Sequence, residues 1–261
     1  MHVKLKNITY IDSQMFTIYY HPACYTSYRL LKALNESNAI KSVRLIDMSL
    51  NNYLAVSRQI LTVPLIENNG EQIYGGPIDI EKAKDLVING EVSLNVENVK
   101  EALIGAIADS SAISSILYYY GDVRPLKEFS GFLRSATGLA LDKNGAEKMK
   151  EMYKVIEEEE LYNEIEHKII ATLAYNKVRE SLYLNINDQS PESFIMWFVS
   201  KASVGRAGVP FKNVEQIKSK AIKIYEYYSE RREKINEKLI KEIQEIKSGI
   251  SEIINELGDH S

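Results

Sequence analysis

The spacing of hydrophobic positions changes along the chain. Up to about residue 92, short apolar runs alternate with helical stretches. Phe16-Thr-Ile-Tyr-Tyr20 is an unbroken β-branched and aromatic run, the pattern of a buried strand. It stops at His21-Pro22, after which Tyr28, Leu31 and Leu34 share one face of a helix over 25–38. Ser42-Val-Arg-Leu-Ile-Asp47 reads as a second strand, 53–60 as a short helix and Val63-Pro-Leu-Ile-Glu67 as a third strand. Asn69-Gly70 is a two-residue hairpin signal, so Glu71 to Tyr74 returns as a fourth strand. Gly75-Gly76-Pro77 breaks that strand, and Pro77 or its neighbour opens a helix running to Asn89-Gly90. The predicted order is β-α-β-α-β-β-α, with Val3-Lys-Leu-Lys-Asn-Ile8 as a candidate edge strand.

From Glu97 onward strand patterns disappear. One helix is expected over 97–120, and one or two shorter helices over 126–141, where Gly131 and Gly138 interrupt. The span 145–184 has no proline and no internal glycine, which predicts one long helix or two abutting ones. Ser190-Pro191 then offers an N-cap followed by a first helical residue. The stretch 213–257 is a helical pattern of about 45 residues, roughly 66 Å long if it forms one continuous helix. Its stripe runs through Ile217, Ala221, Ile224, Tyr228, Ile235, Leu239, Ile243, Ile246, Ile250, Ile253 and Leu257. Steps of three and four alternate, with a run of fours, resembling a stutter, around Arg231 to Ile243. Such a stripe needs a partner: the 145–184 helix, another subunit or the domain core. The division is therefore an α/β domain over 1–92 and an all-α domain with long helices over 97–261.

Charge and composition narrow the functional classes. Thirty-two basic residues stand against 36 acidic ones, a net charge of −4, which argues against gripping nucleic acid or an anionic membrane through the overall field. No run approaches the roughly 18 apolar residues of a membrane span. The most apolar stretch, 102–120, is interrupted by Gly105, Asp109 and four serines. With an N-terminus that lacks the apolar core of a secretory signal, a cytoplasmic protein is expected. His167 and Glu157 to Glu160 read as surface rather than metal ligands, so no metal site is expected.

One cysteine excludes an internal disulfide and a two-cysteine redox cycle within the chain. Cys24 falls at the start of the first predicted helix, where unpaired N–H groups and the positive end of the dipole favour a thiolate. Ser27 lies one turn on, able to donate its hydroxyl to the sulfur. His21 precedes it and would stabilise the anion if protonated, or accept the thiol proton if neutral. With serine at position 27, a mixed disulfide on Cys24 has to be resolved by an external thiol.

Four strands and three helices in this order, with a cysteine opening the first helix, resemble the thioredoxin fold, a mixed four-stranded sheet with helices. The details over 15–91 look most like a glutaredoxin: His21-Pro22-Ala23-Cys24-Tyr25-Thr26-Ser27 as the active-site turn, Thr62-Val63-Pro64 as the cis-proline segment, and Gly75-Gly76-Pro77-Ile78-Asp79 after the fourth strand. An arsenate-reductase-like member is the near competitor, but Tyr28 stands where that group carries arginine. The helical remainder resembles the glutathione-transferase layout. The resemblance implies monothiol exchange or thiol transfer, with Cys24 as nucleophile and with Val63 and Pro64 presenting backbone to the substrate. Gly75, Gly76 and Asp79 would hold the far end of glutathione or another low-molecular-weight thiol. A cysteine-ligated iron–sulfur cluster fits less well, because Tyr25 stands where its binders have glycine. The implied partner is a small thiol or a disulfide-bearing protein. The alternative is a non-catalytic scaffold that docks a protein through the sheet domain and forms a homodimer through its long helices.

Overall fold

The computed structural model describes residues 16–205 and 214–258. The candidate edge strand at Val3 to Ile8 lies outside the described residues. The N-terminal portion contains β1 (Thr17–Tyr20), α1 (Tyr25–Glu36), β2 (Arg44–Asp47), α2 (Tyr53–Ser57), β3 (Leu65–Asn68), β4 (Glu71–Gly75) and α3 (Ile80–Asn89). The strands form one mixed sheet in the order β2-β1-β3-β4, with β1 parallel to β2 and antiparallel to β3.

β1 is apolar throughout because it lies between two strands with both faces covered. Ile18 and Tyr20 point into the core beneath α1 and α3, where Leu30, Leu31, Leu34 and Leu86 pack. Tyr19 points the other way, towards Met48, Ile60 and Leu65. On that face Glu67 of β3 is buried but paired, accepting from Arg58 at 2.8 Å and from the Tyr19 hydroxyl at 3.2 Å. A buried carboxylate is tolerated only with such partners.

The predicted order of elements holds, and the displaced boundaries have local causes. β3 begins at Leu65 rather than Val63, since Pro64 has no N–H to give a ladder and its peptide with Val63 is cis. α2 stops at Ser57, two residues before Gln59 takes a left-handed conformation at φ 52°. α3 starts at Ile80 and not at Pro77, because the Asp79 side chain caps it by accepting from the Lys82 N–H at 3.1 Å. Asn69 and Gly70, both at positive φ, make the expected hairpin between β3 and β4.

The remainder is helical: α4 (Val99–Asp109), α5 (Ser111–Tyr120), α6 (Ser130–Ala136), α7 (Gly145–Ile156), α8 (Leu161–Tyr183), α9 (Pro191–Gly205), α10 (Val214–Glu230) and α11 (Arg232–Gly258). Three expectations of longer helices are corrected or resolved here. The helix expected over 97–120 is two, bent by 100° at Ser110. Ser110 is extended, its hydroxyl accepts from the Ile113 N–H and donates to the Leu61 carbonyl, and a new helix starts. The 145–184 span divides at the exposed Glu157–Glu160 run into α7 and α8. The final stretch, whose continuity the pattern left open, is two helices divided at Arg231.

The run of four-residue steps in the final stripe coincides with a change of packing partner. Ile217, Ala221, Ile224, Tyr228, Ile235 and Leu239 belong to the core of the helical portion. Ile243, Ile246, Ile250 and Ile253 belong to the core beneath the sheet, against α1. The stripe considered as a subunit seam is thus covered within the chain, and α11 ties the helical portion to the helix that Cys24 begins. Among the described residues no single helix is long and apolar enough to cross a membrane.

Candidate functional site

The turn joining β1 to α1 fixes the position of the sulfur. The Cys24 N–H donates to the His21 carbonyl at 2.9 Å, and an extended backbone at φ −89° makes Cys24 the N-cap of α1. Its Sγ accepts the Ser27 N–H at 3.4 Å, one of the orphan donors of the first helical turn. The thiol donates to the Val63 carbonyl, also at 3.4 Å. Ser27 is fully buried; its hydroxyl accepts from the His21 N–H at 3.4 Å and supports the sulfur as a second hydrogen-bond partner.

Cys24, His21 and Val63 line a cavity of about 660 Å³, within the size range of small-molecule sites. Its remaining walls come from both portions of the chain. Asp109 and Ser110 enter from the α4–α5 corner, Arg179 and Glu180 from α8, Lys201 from α9 and Ile250 from α11. The Thr62 hydroxyl donates to Asp109 Oδ2 at 3.4 Å, so neighbouring residues of one segment hold the carboxylate and, through the Val63 carbonyl, the thiol.

The expectation of a thiolate favoured by the helix terminus is reversed. Burial pushes the Cys24 thiol up, and the charge of Asp109 pushes the same way, while Ser27 and Arg179 oppose them. Desolvation outweighs the Ser27 hydrogen bonds, so the resting group is a neutral thiol. Asp109 is itself pushed up to about 6 by burial, against the hydrogen bond from Thr62 and the charge of Arg179.

His21 is not the cation considered from sequence. Burial lowers its pKa, and its Nδ1 accepts the Ala23 N–H at 3.1 Å within the turn. The ring is neutral and that nitrogen is occupied, so His21 shapes the turn instead of taking the thiol proton. Arg179 gives Nη2 to Glu242 at 3.1 Å and Nη1 to Asn176 at 3.3 Å; its Nε is buried without a hydrogen-bond partner among the described residues. Glu180 is held by Lys201 at 2.7 Å and by the Trp197 indole at 2.9 Å.

The other residues expected to bind substrate are placed differently. Pro64, Gly75, Gly76 and Asp79 do not line the cavity. The Pro64 carbonyl accepts the Gly76 N–H at 2.9 Å, tying that segment to itself. Asp79 is spent on capping α3. Gly76, at φ 68°, passes so close behind the site that an added Cβ would lie 3.1 Å from the Thr62 hydroxyl and 3.4 Å from Asp109 Oδ2. Its lack of a side chain makes room for the carboxylate.

Sequence reasoning missed Asp109, Arg179, Glu180 and Lys201. They are scattered over some 90 positions and belong to no motif. Only Asp109 left a signal: it is the single charge within the most apolar stretch, 102–120, where an ionised side chain costs most unless it has a use. Among the described residues no three His, Cys, Asp or Glu side chains gather as a metal set. No family model, no curated protein and no solved structure matches the chain.

Proposed function

We propose that the sheet with α1 to α3 is a thioredoxin-like, glutaredoxin-type unit, and that the chain performs monothiol exchange or thiol transfer through Cys24. One observation carries this reading: the only cysteine caps α1 at a 660 Å³ cavity, with its sulfur against the carbonyl that precedes a cis proline. The order β-α-β-α-β-β-α and the sheet order β2-β1-β3-β4 support the unit's assignment.

In the exchange, deprotonated Cys24 attacks one sulfur of a disulfide along the S–S axis. The S–S bond breaks, a Cys24 mixed disulfide forms, and the departing thiolate takes a proton. A second thiol, ionised in its turn, attacks the mixed disulfide and returns Cys24 to its thiol form. No electrons are gained or lost overall; the incoming disulfide is the oxidant and the external thiol the reductant. The Ser27 N–H and hydroxyl hold the charge on sulfur while the proton is away. The partner is a low-molecular-weight thiol such as glutathione, or a protein disulfide small enough at its tip to enter the cavity.

The upward push on the thiol favours a second reading, a non-catalytic scaffold that docks a protein and pairs through its helices. The two part on turnover. With cystine and glutathione as substrates, the wild-type protein is expected to accelerate exchange, and Cys24→Ser to lose at least about 100-fold of that acceleration, as for removal of a covalent nucleophile. Equal rates for the two proteins, or no acceleration by either, would support the scaffold.

A further inference from the structure

Resting on the exchange reading, we infer that Asp109, delivered from the helical portion, is the proton-transfer residue for Cys24: its carboxylate takes the thiol proton as the sulfur attacks and returns it to the departing thiolate. Three independent features support the assignment. The chain is broken at Ser110 by a 100° bend that ends α4 at Asp109 on the cavity wall. Thr62 and Val63, adjacent residues, hold the carboxylate and the thiol respectively, and both Cys24 and Asp109 line the same cavity. Gly76 has no side chain where one would press on both Thr62 and Asp109.

The chemistry requires such a group. A neutral thiol cannot attack a disulfide, and His21, the nearest alternative acceptor, has its Nδ1 engaged by Ala23. A carboxyl whose burial brings it to about 6 is nearer than an ordinary aspartate to the pH at which it must both take and give a proton. The proton balance closes within the site. The S–H bond of Cys24 breaks and Asp109 becomes neutral, the Cys24 mixed disulfide forms, and the leaving sulfur recovers the proton from Asp109. The other charges on this cavity do not replace Asp109: Glu180 is neutralised by Lys201, and Arg179 is a donor paired with Glu242. Asp47 accepts from the Ser49 hydroxyl and N–H beside the end of β2.

The test pairs two readouts on the full-length protein with Asp109→Asn. Iodoacetamide alkylation of Cys24 reports ionisation alone, whereas exchange between cystine and glutathione also requires the proton to be carried. Removing the carboxylate charge is expected to move the alkylation midpoint to lower pH, because that charge opposes ionisation of the thiol. At the same time exchange at pH 7 is expected to fall by about 100-fold, the range of a lost general base. Thr62→Val, which keeps the carboxylate but loosens it, should give a smaller loss of exchange. If exchange instead rises with the thiolate fraction, or stays unchanged, Asp109 only suppresses the thiol and the inference is overturned while the exchange reading stands. A wild-type protein that alkylates at Cys24 yet never exchanges overturns the exchange reading, and this role with it.

Discussion

Asp109→Asn is expected to stabilise the protein by about 3 kcal/mol at pH 8, and by progressively less as the solution is acidified. The carboxyl, on a half-buried residue at the cavity wall, is displaced from near 3.8 to about 6, chiefly by loss of water. A displacement of that size corresponds to roughly 3 kcal/mol of linkage. The sign follows from proton uptake. Between these two values the folded state holds a proton that the unfolded chain has released, so stability falls as pH rises through this range. The stabilisation associated with the protonated group is complete below about pH 4 and gone above about pH 6. Asparagine has the same shape and no charge to desolvate. Its advantage over the wild type should therefore appear in urea unfolding at pH 8 and vanish near pH 4. A variant less stable than the wild type at pH 8 would mean that the ionised carboxylate is better compensated than its surroundings indicate. A costly charge kept at a cavity, and removable with a gain in stability, is the pattern of a group retained for use.

Gly249→Leu is expected to cost about 3 kcal/mol of stability, at the upper end of typical overpacking penalties, and to loosen the site as well. Gly249 is the point at which α11 crosses α1. A Cβ there would stand 2.4 Å from the Tyr28 ring and from its hydroxyl. Tyr28 is buried and cannot swing outward, and the neighbouring Tyr25 hydroxyl is bonded to Glu245 of α11 at 3.0 Å. The helix-propensity gain of replacing glycine is worth only about 1 kcal/mol and is outweighed. Since Cys24 caps α1 one turn before Tyr28, pushing α1 off α11 should also open the thiol to solvent. Faster alkylation at neutral pH is expected to accompany the lower urea midpoint. Ser248→Leu, on the exposed side of the same turn, serves as the control and should change neither.

The sequence made the sheet portion legible because each of its elements is punctuated locally. His21-Pro22, Asn69-Gly70 and Gly75-Gly76 end or turn strands through backbone preferences that need no tertiary context. The stutter from Arg231 to Ile243 was legible too, although its meaning was not: at its end, between Leu239 and Ile243, the stripe leaves the helical core for the sheet core. The break at Ser110 was hidden because its cause is remote. A hydroxyl that binds the Leu61 carbonyl, 49 positions away, turns the chain at a point where local propensity continues the helix.

The candidate site divides in the same way. The position of Cys24 as a cap, with Ser27 behind it, follows from one helical turn and was readable. The state of the thiol was not, because it depends on burial under the enclosing helices and on the charges of Asp109 and Arg179, none of which is near it in sequence. Asp79 and Gly76 looked like ligand contacts from their place after the fourth strand, yet their side-chain and backbone groups serve α3 and the Asp109 pocket.

The proposed exchange requires Cys24 to form a mixed disulfide within the folded cavity. Intact mass measurement after brief exposure of the native protein to glutathione disulfide tests it most directly. A single glutathione adduct is expected on the wild type, absent from Cys24→Ser and removed by added thiol. A native protein that stays unmodified, while the urea-unfolded chain accepts the adduct, would contradict it.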